Sequence, residues 1–161
     1  MSIAYGIQII LVGVGACVIF DLWQRIFQKL TDIPATNWAV TGRWFLGVML
    51  NGRLIARDLE AMPARANELA VGWLLHYGIA IGYAVIYAGL MQAGWLAVGF
   101  TDGLIFGVIS VLVPWLFLLP CLGKGIMARL TPTPRLVCAM ALMMHTLFGI
   151  SIGLGFALLA G

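Results

Sequence analysis

The chain reads as an all-α integral membrane protein, a four-transmembrane-helix bundle with cytoplasmic interfacial amphipathic helices. Three observations predict it. Of its 161 residues, 63% are hydrophobic and only 9% are charged, whereas a soluble domain carries about 25% charged residues. Four windows stay apolar over the roughly 20 residues that a helix needs to cross a bilayer. All nine Lys and Arg fall in just two of the segments between those windows. The length suits a single membrane domain over residues 1–161 with no soluble catalytic domain beside it. No enzymatic activity and no catalytic residue are expected.

The first predicted span covers residues 3–20 and ends at Asp21. It has no positive leading region, its apolar run is long, and the charges follow it. That pattern is an uncleaved span rather than a signal peptide. Beyond it Leu22, Trp23, Ile26, Phe27 and Leu30 recur at helical spacing around Arg25 and Lys29, and Pro34 ends the run. A second apolar run, Trp38 to Leu50, is too short to span and is interrupted by Arg43. Both runs predict amphipathic helices lying in the interface within a cytoplasmic segment 22–67, their tryptophans at headgroup level. A re-entrant hairpin is the alternative, and it requires protein to shield the backbone from lipid. The second span, 69–90, follows Arg65 and Glu68. The third, 101–119, stops at Pro120. The fourth, 136–159, follows Pro132 and Pro134, where missing N–H groups do no harm.

Orientation follows from the basic residues. Arg25, Lys29, Arg43, Arg53, Arg57 and Arg65 separate spans one and two, and Lys124, Arg129 and Arg135 separate spans three and four. The other three segments have none. The positive-inside rule therefore puts both basic segments in the cytoplasm, with both termini on the opposite side.

Ionisable groups inside a membrane are expensive, so they are the first candidates for function. His76 and His145 each lie about 10–14 Å in from the cytoplasmic end of their spans, at 1.5 Å per residue. His76 shares a helical stripe with Gly72, Ala80, Tyr83 and Tyr87. His145 shares one with Cys138, Gly149, Ile152, Gly153 and Phe156. Span three carries a like seam in Gly99, Gly103 and Gly107, and small residues of this kind let helix backbones approach closely. The candidate polar layer is therefore His76, His145 and Tyr83, approached from the cytoplasmic ends by Glu68, Asp21 and Arg43. The small-residue faces also suit self-association.

Two function classes follow. One is a small transporter, or a transporter-accessory subunit, using the buried histidine layer. The other is a non-catalytic structural or interaction protein whose histidines are packing contacts worth about 0.6–2 kcal/mol each. Two histidines do not make a haem relay, and a zinc site lacks ligands, so neither cofactor nor metal is expected. Gly123-Lys124-Gly125 is no phosphate-binding loop, because the glycine spacing and the following Ser/Thr are missing. Lys124, Arg129 and Arg135 are instead expected to meet anionic lipid headgroups, the bilayer being the main partner. Nucleic acid is not expected, since the basic residues flank spans rather than form a face of their own. Cys17, Cys121 and Cys138 are too few and too scattered for a disulfide framework. Gly78-Ile79-Ala80-Ile81-Gly82 resembles Gly149-Ile150-Ser151-Ile152-Gly153, a weak hint of duplication with the histidines out of register.

The ordered landmarks carry a resemblance. They are Asp21-x-Trp23, Asn37-Trp38, Gly42-Arg43-Trp44, Glu68, Gly72-Trp73 and His76-Tyr77. After these come Pro120, Gly123-x-Gly125, Pro132-x-Pro134, His145 and Phe148-Gly149. Over nearly the whole chain the set resembles a family of small bacterial inner-membrane proteins carrying a domain of unknown function. The resemblance implies about four spans and supplies no activity. Where the family pattern is similar to Gly-x-Phe-x-His after Gly-Arg-Trp, this chain reads Asn51-Gly52-Arg53-Leu54-Ile55-Ala56-Arg57, without a histidine. That further lowers a metal reading.

Overall fold

The computed structural model describes residues 2–160, and these are about 75% helical, with no strand among them. The helices are α1 (Ile3–Thr31), α2 (Trp38–Asn51), α3 (Glu68–Gln92), α4 (Phe100–Ser110), a π-helix (Pro114–Leu118), α5 (Leu119–Cys121), a short 3-10 turn (Ile126–Ala128) and α6 (Pro134–Ala160). Four stretches are long and apolar enough to cross a bilayer: Ile3–Thr31, Glu68–Gln92, Phe100–Cys121 and Pro134–Leu159. The chain is a multi-pass membrane protein. It divides into two compact units, with α3 and α6 each contributing to both.

The first unit comprises Met1–Ala35, Tyr77–Ser110 and Leu142–Gly161. In lipid, helices gain nothing from hiding apolar surface from water, so close packing has to hold them together. Glycine provides it here. A Cβ added at Gly103 would sit 2.6 Å from the Gly149 carbonyl oxygen, and one at Gly149 or Gly153 would fall on the carbonyls of Gly103 and Gly99. The four-residue spacing Gly99, Gly103, Gly107 thus lays one helix backbone on another, and Gly99 N–H donates to the Gly153 carbonyl at 2.9 Å. Gly13 of α1 makes a similar approach to Ile81 of α3. Around this frame Tyr87 and Ile152 are fully buried, and Tyr87 stacks on Phe156 at 5.7 Å.

Resemblance between the two Gly-Ile-x-Ile-Gly stretches does not extend to their work. Gly149 and Gly153 form the seam, whereas Gly78 and Gly82 have open space where a side chain would go. Their likeness is one of composition.

Residues 22–30 do not form a separate helix. They continue α1, which runs 29 residues without a break at Asp21, because nothing in Leu22–Leu30 disfavours the helix already under way. The helix stops at Asp32, whose left-handed backbone lets its N–H cap the Gln28 carbonyl, two residues before Pro34.

Thr36–His76 and Val111–Ala141 make up the second unit. Asn37 caps α2 by accepting the Ala39 N–H at 3.1 Å, and Gly52 closes the helix in a left-handed conformation. With 14 residues, α2 is about 21 Å long, short of a bilayer crossing. It crosses the start of α3 in backbone contact, since a Cβ at Gly42 would fall on the Glu68 carbonyl and one at Gly72 on the Trp38 carbonyl. The segment between α2 and α3 is irregular yet anchored, with Leu59 packed beside Trp44 and Cys121.

Candidate functional site

Polar side chains gather at two places, one in each unit. The first surrounds His145 on α6. Its Nδ1 lies 2.8 Å from Ser110 Oγ at the end of α4, and that oxygen also donates to the Gly107 carbonyl at 2.8 Å. A hydroxyl has a single proton. With it given to Gly107, Ser110 accepts from the Nδ1–H of His145. The bond sits on the glycine seam, where a Cβ at Gly107 would lie 2.5 Å from the His145 carbonyl oxygen.

Tyr83 of α3 completes this cluster. Its ring meets His145 edge-on at 5.9 Å, and its hydroxyl donates to the Ser110 carbonyl over a long 3.4 Å. Proline explains why that carbonyl accepts from a side chain. In a regular helix the residue four positions on would donate to it, but that residue is Pro114, which has no N–H. The chain continues past Pro114 as a π-helix. Within α1, the Asp21 carboxylate accepts a hydrogen bond from the Tyr77 hydroxyl at 3.1 Å.

In the second unit the centre is Arg43. Its Nε and Nη2 donate to the two carboxylate oxygens of Glu68 at 2.8 and 2.9 Å, the two-pronged geometry that suits a guanidinium. Nη1 donates to the backbone carbonyls of Leu59 and Met62 at 3.0 and 2.7 Å. Glu68 Oε2 also accepts the backbone N–H of Arg65 at 2.8 Å. Both side chains are nearly buried, with 10% and 12% of their surface exposed, and the bond to Glu68 raises the pKa of Arg43 above its ordinary value. One ion pair thereby ties α2, the first residue of α3 and three points on the connecting segment together. About two turns along α3, His76 stacks on Trp38 with ring centroids 3.7 Å apart and planes 21° apart, and Trp73 stands beside them.

The sequence-predicted layer is thus brought together in parts. Arg43 joins Glu68, and Tyr83 joins His145. The two histidines belong to different units, each with its own partners. Of the cations expected to meet lipid, Arg129 and Arg135 are exposed, while the Lys124 ammonium stands 3.8 Å from Glu60. Ser110 escaped the sequence reading, although it continues the Gly99, Gly103, Gly107 stripe by three residues. Tyr77 as the partner of Asp21 and Trp38 as the partner of His76 had no such signal, because both depend on long-range packing.

A family model described as a protein of unknown function (DUF2938) matches residues 10–159. No curated protein and no solved structure matches the chain.

Proposed function

The chain belongs to the DUF2938 family, and we propose that it is a non-enzymatic structural or interaction protein of the bacterial inner membrane whose histidines are packing contacts. The observation that carries this reading is the bond from His145 to Ser110 on the glycine seam. A polar pair across two helices whose backbones touch is what holds membrane helices together. His76, stacked on Trp38, has the surroundings of a packed ring. Both basic segments face the cytoplasm in this reading, because all nine Lys and Arg lie there. Arg129 and Arg135, with Lys124, meet anionic headgroups, and the exposed helix faces suit a second copy or another membrane protein. The competing role, a small transporter or an accessory subunit of one, needs a water-reached pair of histidines working together.

Proteoliposomes separate the two. In vesicles enclosing a pH-sensitive dye, an imposed pH gradient should decay at the rate of empty liposomes. The double variant His76→Phe, His145→Phe should fold, accumulate and decay at that same rate across pH 5.5–8. A protein-dependent proton flux that the double variant abolishes while remaining folded would sink the packing reading and restore the transporter.

A further inference from the structure

The segment between α2 and α3 borders an open cleft of about 550 Å³, lined by Arg43, Arg53, Arg57 and Arg65 together with apolar side chains that include Trp44, Ile55 and Met62. Among the residues lining it there is no carboxylate. Arg43 is already matched by Glu68 and Arg65 lies within reach of the same carboxylate, which leaves the charge of Arg53 and Arg57 to the cleft. Asp58 and Glu60 lie in the same segment but do not line it, and Glu60 stands by Lys124. The apolar part of the wall is open as well, with Ile55 62% and Met62 42% exposed.

This cleft is built rather than incidental, because its backbone is held next to Arg53 and Arg57 and at Arg65 itself. Trp44 Nε1–H donates to the Leu54 carbonyl at 2.7 Å, between Arg53 and Arg57. Ala56 N–H donates to the Cys121 carbonyl at 2.9 Å, and the absent side chain of Gly123 lets that turn close on Ala56. Arg43 holds Leu59 and Met62, and Glu68 holds the N–H of Arg65. An irregular segment held at so many points presents its cations with little entropy left to lose on binding.

We propose that this cleft binds the phosphoryl headgroup of an anionic lipid, with Arg53 and Arg57 on the phosphate and Ile55 and Met62 against the start of the acyl chains. Guanidinium groups match phosphate oxygens two at a time, which distinguishes them from ammonium groups as a headgroup site. The volume lies in the ordinary range of roughly 300–1,000 Å³ for small-molecule sites. A purely cationic wall would suit a soluble phosphate, but a wall that is half apolar suits an amphiphile. The proposal does not depend on what the histidines do, and it concerns residues other than Lys124, Arg129 and Arg135.

The full-length protein, purified in a neutral detergent, would be offered equal amounts of phosphatidic acid and phosphatidylcholine with the same acyl chains. The lipid retained is counted by native mass spectrometry. Wild type should retain phosphatidic acid over phosphatidylcholine by about tenfold or more, the scale of two or three charge-assisted contacts. Arg53→Gln with Arg57→Gln, both at exposed positions and so compatible with the fold, should bring the ratio close to one. The control Lys124→Gln, Arg129→Gln, Arg135→Gln should keep the preference, and millimolar inorganic pyrophosphate should leave the lipid in place. Equal retention of both lipids by wild type overturns the proposal, as does an unchanged preference in the arginine pair. Equal loss in the control would mean general surface charge, and displacement by pyrophosphate at up to millimolar concentration would mean a site for soluble phosphate. Either result overturns the lipid site.

Discussion

Arg43 has more hydrogen-bonding work than any other side chain described, reaching Glu68 twice and the Leu59 and Met62 carbonyls once each. Lysine carries the same charge but has neither the fork nor the planarity to make these bonds together. Arg43→Lys should therefore leave the helices formed and release the segment between α2 and α3. Limited trypsin digestion reads this directly, since Arg53 and Arg57 are exposed within it. The variant should be cut there several-fold faster than wild type, and an unchanged rate would show that the segment is held by other means. Sequence named Arg43 and Glu68 as approaching one layer, Glu68 because it is charged at the edge of a span and Arg43 because it interrupts an apolar run. It could not pair them, since they stand 25 positions apart across an irregular connection. Ser110 was legible in principle, on the stripe of the span-three glycines, but a lone serine in a membrane helix commonly bonds its own backbone. Here it bonds both its backbone and His145.

Between helices, glycine spacing decides which faces meet. A side chain at Gly149 has no room, because the Gly103 carbonyl and the Gly107 backbone occupy the space, whereas Gly78 faces open space on α3. Gly149→Leu should destabilise the folded protein by about 1–3 kcal/mol through forced separation of the seam. Gly78→Ala should be neutral or stabilising by up to about 1 kcal/mol, the helix-propensity difference. Thermal unfolding of the two variants in the same detergent compares them, and a harmless leucine at position 149 would refute the close approach. The span-three seam and its partner stripe on span four were readable because both repeat every three or four residues. The crossing of α2 over α3 at Gly42 and Gly72 was not, because each helix offers one glycine and no period. Continuation of α1 through Asp21 to Thr31 was missed for another reason. A charged residue ends an apolar window but does not end a helix, and the stop signals lie further on, at Asp32 and Pro34.

Over the whole molecule, four apolar helices and a nine-to-zero division of basic residues support one topology. The apolar windows made the number of spans the most readable feature, since the bilayer imposes length; the proposed orientation rests on the placement of Lys and Arg alone. The orientation bears on every functional proposal above, because the arginine cleft and the cations proposed to meet lipid must share the cytoplasmic side to work as described. Cysteine accessibility in intact cells tests it most directly. In a background with Cys17, Cys121 and Cys138 replaced, Gln92→Cys and Thr133→Cys would each be exposed to a membrane-impermeant maleimide. Cysteine at position 92 should react in intact cells, and cysteine at position 133 should react only after the membrane is opened. The reverse pattern would invert the protein, and reaction of both in intact cells would mean that the stretch Phe100–Cys121 does not cross; either contradicts the account.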